Sequence, residues 1–189
     1  MPYVAGVDLG TTYSAAAIAG SDGLIAVDLG VRAMEMPSVV AIRPDGEILT
    51  GAAAERRLVL EPSRAAREFK RRLGDPTPLL LGGVPYGAET LTGYLLRSIV
   101  SLVAERQGEP PAFVGLSHPA HYGSYKLELL EEAARVAGAS VVVFVPEPVA
   151  AAVHYSQSER VAEGELIGVY DLGGGTFDIS ILEIGEGVF

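Results

Sequence analysis

Apolar runs separated by glycine turns make up the first fifty residues of the chain. The predicted strands there are 3–7, 13–19, 24–27, 37–42 and 47–50. The first two flank a Gly-Thr-Thr turn, the third follows a Ser-Asp-Gly turn, and the last two flank Arg-Pro-Asp-Gly, so hairpins are expected. Pro62 fits the first turn of a helix that we expect to run to about Leu73, where Gly74-Asp75-Pro76 ends it.

A helical spacing of apolar residues begins the second half of the chain. Leu91, Leu95, Ile99 and Leu102 repeat at that spacing, which predicts a helix over 88–107. Beyond it the predicted strands are 112–116, 140–145, 165–170 and 176–183, and the predicted helices are 122–137 and 149–158. Strands that alternate with helices of this length indicate crossover connections and a partly parallel sheet, hence an α/β fold.

The composition narrows the classes of function. With 189 residues, of which 49% are hydrophobic, the chain can bury a sizeable core. A net charge of −10 argues against general binding to nucleic acid or to an anionic membrane. The chain contains no cysteine and no uninterrupted apolar stretch long enough to span a bilayer, so we expect a soluble, cytoplasmic protein. The three histidines show no metal-ligand spacing.

One short pattern occurs twice, at 6–14 and 169–177. Each copy is a strand, the sequence Asp-Leu-Gly, a turn of small residues with threonine, and another strand. Glycine lets successive backbone N–H groups approach phosphate oxygens, while Asp8 and Asp171 could hold a hydrated magnesium ion. One such turn is usually an ordinary hairpin. Its repetition, with an aspartate at the same offset, favours a two-sided phosphate clamp.

Two further charged residues have alternative interpretations. Glu147 follows an apolar strand and begins an alanine-rich helix, so it either stabilises a helix N-terminus or serves a site at the sheet edge. Lys70 belongs to the basic run 69–72, which by itself suggests a solvated helix face. The residues alone leave both alternatives open.

These segments together resemble the nucleotide-binding domain of the seventy-kilodalton heat-shock proteins, the DnaK-type chaperones. The resemblance covers the whole chain, and its motifs are 6–14, 69–73, 118–120, 147–152 and 171–180. It implies an actin-like ATPase lobe. A ribonuclease-H-like core with a mixed sheet, at 1–36 and 111–189, would carry both phosphate motifs, and a smaller α+β subdomain at 37–110 would be inserted in it.

The resemblance also implies a site for ATP or ADP with magnesium. The metal-holding residues would be Asp8 and Asp171, and the catalytic groups would be Lys70, Glu147, Asp171 and Thr176. The phosphate-binding residues would be Gly10, Thr11, Thr12, Tyr13, Gly173, Gly174, Gly175 and Thr176. Lys70 would position the attacking water and Glu147 would help to order it. Such a site hydrolyses ATP by positioning and charge stabilisation.

The sequence departs from the family pattern in three places. Leu127 stands where the family commonly has an arginine that relays the nucleotide state to the peptide-binding domain, and Val149 replaces a threonine. Residues 185–189 look like the middle of a further strand, before the family's second lobe.

We therefore expect the N-terminal half of a chaperone ATPase domain that is inactive alone. Peptide clients and co-chaperones would be partners of the longer protein. An actin-like filament subunit and a small-molecule kinase are the alternatives.

Overall fold

The computed structural model describes residues 2–21, 23–30 and 34–185. The strands, in chain order, are β1 (Val4–Leu9), β2 (Tyr13–Gly20), β3 (Gly23–Ala26), β4 (Glu35–Pro37), β5 (Val39–Ile42), β6 (Ile48–Thr50), β7 (Ala65–Arg67), β8 (Leu79–Leu81), β9 (Val84–Tyr86), β10 (Phe113–His118), β11 (Val142–Pro146), β12 (Leu166–Leu172) and β13 (Phe177–Glu183). The helices are α1 (Gly51–Leu60), α2 (Ala88–Gln107), α3 (Ser124–Ala137) and α4 (Glu147–Ser158). The predicted turn at Asp22 and residues 186–189 of the further strand expected over 185–189 lie outside the described residues.

The main sheet has the strand order β11-β10-β1-β2-β3, and β4 also pairs with β2. Strand β1 runs antiparallel to β2 but parallel to β10, which in turn is parallel to β11. The predicted first hairpin and the partly parallel sheet are therefore confirmed. Helix α3 forms the crossover connection between β10 and β11, whereas the chain reaches β10 from β1 only after passing through β2 to β9, α1 and α2.

The hydrophobic core lies between the main sheet and the helices α2 and α3. Strand β1 alternates buried and exposed residues, as a strand with one packed face does. On α2, the predicted apolar spacing places Leu91, Leu95 and Ile99 at full burial against Leu116 and Leu130. The helix ends at Gly108, which takes the left-handed conformation that glycine adopts without strain.

Residues 51–73 differ from the sequence prediction. The predicted helix from Pro62 to Leu73 is wrong: short 3₁₀ turns at Pro62–Arg64 and Phe69–Arg72 flank strand β7, which pairs with β5. Strand β7 consists of Ala and Arg residues, which favour helices, but its pairing with the distant strand β5 overrides that propensity. The helix of this region is instead α1, which starts at Gly51, and it was not predicted. Nor was the β8–β9 hairpin.

The last hairpin, β12–β13, forms a two-stranded sheet of its own, which we call the terminal hairpin. Cross-strand partners share a face of a hairpin. Tyr170 opposite Ile179 and Leu172 opposite Phe177 therefore form an exposed apolar face. The opposite face carries Asp171, and helix α4 packs against both of these strands as well as β10 and β11.

Among the residues that the structure describes, no helix is both long and apolar enough to cross a membrane.

Candidate functional site

A cavity of about 420 Å³ lies between the two repeated turns. We call residues 10–12 the amino-terminal turn and residues 173–175 the carboxy-terminal turn. They belong to different sheets, because the first joins β1 to β2 and the second joins β12 to β13. The sequence-predicted residues that line the cavity are Asp8, Gly10, Thr11, Thr12, Tyr13, Lys70, Glu147, Asp171, Gly173, Gly174 and Thr176. Gly175 lies instead beside Thr11 and Arg71.

Close approach explains the glycines of both turns. A Cβ at Gly174 would lie 2.9 Å from the Cβ of Thr12, so the turns meet here across the cavity. A Cβ at Gly10 would lie 3.3 Å from the carbonyl carbon of Tyr13 and closer still to its oxygen. None of the glycines in either turn has a positive φ. They are needed for space, and the same space leaves backbone N–H groups open to a ligand.

A buried serine pair holds the amino-terminal turn in place. The Ser38 hydroxyl donates to the carbonyl oxygen of Gly10 at 2.7 Å and lies 2.9 Å from the Ser14 hydroxyl. The Ser38 backbone N–H donates to the Thr12 carbonyl at 2.8 Å. These bonds direct carbonyl groups of the turn towards β4 and β5. Sequence reasoning missed this support, although a serine inside an apolar strand is a recognisable signal.

Lys70 and Glu147 form an ion pair in the cavity wall. The Lys70 Nζ lies 2.8 Å from Glu147 Oε1, and the side chains are 10% and 19% exposed. Glu68, with a φ of 57°, reverses the chain just before the 3₁₀ turn that buries Phe69 and Lys70. Glu147 is the first residue of α4. Glu147 thus lies both at a helix N-terminus and in the cavity, while Lys70 is not on a solvated helix face.

Carboxylates approach the cavity from both sheets. Asp8, at the end of β1, accepts a hydrogen bond of 2.7 Å from the Ser117 hydroxyl. Asp171 is the direct cross-strand partner of Asp178, and both line the cavity. Like charges in such a pair repel each other, so a cation between them is favourable. His121, which has no metal-ligand spacing in the sequence, has its Nδ1 3.8 Å from Asp178 Oδ1.

These carboxylates suit a hydrated magnesium ion. The described residues contain no group of three or more His, Cys, Asp or Glu side chains that could enclose a metal. Magnesium keeps several of its waters and needs only one or two carboxylates besides phosphate oxygens. Asp8 and Asp171, one from each sheet on the same cavity, meet that requirement.

Tyr122 adds a neutral hydroxyl group beside the acidic residues. Burial raises its pKa to about 12, and the negative charges of Glu147 and Asp178 contribute to the increase. The ring stacks on buried His118, at a centroid distance of 6.2 Å. The hydroxyl therefore stays protonated at neutral pH. The apolar helix pattern gave no indication that this tyrosine faces a site.

Comparison with known protein families matches residues 4–78 and 80–189 to the Hsp70 protein family. The chain belongs to the Hsp70 family. It is 35% identical over 187 residues to "Chaperone protein DnaK" of Thermotoga maritima, and 36% identical to the DnaK of Thermosipho melanesiensis. Each alignment covers 98% of the chain and 31% of the relative, so the chain spans about a third of the length of these proteins.

Membership of the Hsp70 family accounts for the fold. The mixed sheet flanked by helices is the actin-like fold of the Hsp70 nucleotide-binding domain, as the sequence predicted. One departure from the family pattern has a structural explanation. Leu127 is partly buried against the main hydrophobic core, so in this Hsp70 chain its position contributes to packing.

Proposed function

We propose that this chain is the N-terminal part of an Hsp70-type chaperone ATPase domain, and that in the full-length gene product it binds ATP with magnesium between the two turns and contributes to its hydrolysis. One observation carries the proposal. Two glycine turns from separate sheets face each other across one cavity, and the Lys70–Glu147 ion pair and the carboxylates of Asp8 and Asp171 lie in its wall. Membership of the Hsp70 family supports the reaction, since proteins of this family are ATPases that bind nucleotide.

The two turns would share the phosphates. Backbone N–H groups at Gly10 to Tyr13 and at Gly173 to Thr176 supply donors without adding bulk, and the threonine hydroxyls add more. Phosphate groups and carboxylates repel each other unless a cation lies between them. Magnesium, held through its waters by Asp8 and Asp171, would supply that charge and bridge phosphate oxygens.

Lys70 and Glu147 would act on the attacking water. A water molecule beside the ion pair can donate to the Glu147 carboxylate and accept from the Lys70 ammonium group, which fixes its orientation. The low exposure of both side chains strengthens this polarisation relative to bulk water. Thr176 and Asp171 complete the proposed catalytic groups on the opposite side of the cavity.

The wider biological role follows from the family. We propose that unfolded peptides and co-chaperones are partners of the full-length gene product, and that it acts in the cytoplasm. We also retain the division into a core unit, 1–36 and 111–189, and an inserted unit, 37–110, as a proposal. The family match favours this role over a filament subunit or a small-molecule kinase.

Lys70→Ala in the full-length gene product tests the reaction. We expect single-turnover ATP hydrolysis to fall by roughly 100-fold or more, as when one transition-state donor is removed. Equilibrium affinity for ATP should change far less, because the lysine acts mainly on the water. Arg72→Ala is the matched control: it removes a cation from the same 3₁₀ turn, but Arg72 pairs with Asp75 away from the cavity. Hydrolysis by Lys70→Ala at the rate of the control would refute the proposed role.

A further inference from the structure

The chain contains only two lysines, Lys70 and Lys126. The other twelve of its 14 basic residues are arginines. Both lysines line the cavity between the two turns. Lys70 is accounted for by its ion pair with Glu147, whereas nothing in the proposed function uses Lys126.

Lys126 lies in the first turn of α3. Within residues 2–21, 23–30 and 34–185, no carboxylate is close enough to Lys126 to form a salt bridge. Its Nζ is instead 4.6 Å from the ring centroid of Tyr122, a distance typical of a cation–π contact. The first turn of α3 contains no acidic residue, and a cation is disfavoured at that end of a helix. Helix stability therefore does not explain Lys126.

Tyr122 fixes the position of Lys126 within the cavity. Tyr122 and Glu147 line the same cavity as both lysines, and the negative charge of Glu147 contributes to the raised pKa of Tyr122. Glu147 also pairs with Lys70. In the proposed function the part of the cavity beside this ion pair receives the terminal phosphate and the attacking water.

We propose that Lys126 contacts the terminal phosphate of ATP and makes the site select ATP over ADP. The inference rests on the proposed function and deepens it. An unpaired ammonium group in a chain of net charge −10 attracts the most highly charged part of a ligand that enters the cavity. ATP carries one phosphate more than ADP, so only ATP can place an anion beside both lysines. The Tyr122 ring contacts the ammonium group in the cavity without neutralising it.

Lys126→Gln tests the selectivity, with binding of ATP and ADP measured by calorimetry at constant magnesium on the full-length gene product. We expect the Kd for ATP to rise about tenfold, as for loss of one charge-assisted hydrogen bond, and the Kd for ADP to rise about twofold or less. Lys126→Arg keeps the charge and should keep most of the selectivity. Arg135→Gln removes the same charge from the exposed side of α3 and should leave both Kd values unchanged.

Salt provides a readout that a purely structural role would not affect. The ratio of the two Kd values should depend on ionic strength in the wild type, and much less in Lys126→Gln. Equal effects of Lys126→Gln on ATP and ADP, or no effect on either, would overturn this inference while leaving the proposed function intact. A wild-type protein that binds neither nucleotide would overturn the proposed function, and the inference with it.

Discussion

Gly174→Ala adds one methyl group where the two turns meet. Gly174 has no positive φ, so alanine is not strained by the backbone itself. Its Cβ would lie 2.9 Å from the Cβ of Thr12, whereas ordinary contacts begin at 3.4 Å. It would lie closer still to the Thr12 hydroxyl oxygen, so the variant isolates one defect, an overlap of at least about 0.5 Å between the turns. The space between the turns, and not an unusual glycine conformation, is what the substitution tests.

The overlap should reduce affinity more than it reduces stability. Excess packing by a methyl group typically costs about 1–3 kcal/mol. The carboxy-terminal turn is exposed at Gly173 and Gly174, so the protein without ligand can relieve the overlap by moving that turn outwards. Binding requires both turns to converge on the phosphates, and the cost then appears as a rise in Kd of roughly five- to 150-fold.

Calorimetry with ATP and magnesium measures this effect, and thermal unfolding monitors the stability. Gly175→Ala is the matched control, because its Cβ would make only an ordinary contact, 3.4 Å from Thr11 Cγ2. We expect its Kd to stay within about twofold of the wild type, as for most surface substitutions. If Gly174→Ala binds ATP as tightly as Gly175→Ala does, the two turns do not hold one ligand between them.

Two further predictions concern the supports of the cavity. Ser38→Ala should lower the free energy of unfolding by about 1–3 kcal/mol, because it leaves a buried hydroxyl unpaired, and should also weaken ATP binding. Thr50→Ala breaks a hydroxyl pair away from the cavity, so it should lower stability without changing the affinity for ATP. Equal ATP affinities in Ser38→Ala and Thr50→Ala would contradict the prediction that Ser38 supports binding. Because the pKa of Tyr122 is raised to about 12, the neutral tyrosine contributes to the free energy of unfolding below pH 10. This contribution is lost as the pH rises towards 12. Tyr122→Phe should reduce that alkaline loss in denaturant titrations and remove one late step from the tyrosine absorbance titration. An alkaline loss as large as that of the wild type would refute the assignment.

The main sheet could be predicted because its elements have local signals. Glycine turns mark the ends of β1 and β2, and a buried stripe of leucine and isoleucine marks α2. Strand β7 could not be predicted in this way. Its three residues are Ala, Ala and Arg, and they form a strand only because β5 offers a partner more than twenty positions earlier. Local propensity carries no information about such a partner.

The site was predictable from the repeated turn and only partly from single charges. Asp8 and Asp171 follow from the repetition of Asp-Leu-Gly, which needs no structure. The choice of Lys70 from its basic run depended on the family resemblance, and the fold then places it in the cavity with Glu147. Lys126 lay in a helix with no pattern around it. The scarcity of lysine in the chain was the one signal that pointed to it.

Helix α4 is the element that joins the two sheets. It packs on β10 and β11 at one side and on the terminal hairpin at the other. In the part of the chain that the structure describes, no backbone hydrogen bond connects the main sheet to that hairpin. Packed helices slide and rotate by small amounts more readily than hydrogen-bonded strands separate. The angle between the sheets is therefore held by side-chain packing and not by backbone hydrogen bonds. A polyphosphate bound by both turns would fix that angle. Cleavage of the polyphosphate would free the two sheets to rotate about α4, so chemical energy would become mechanical rotation.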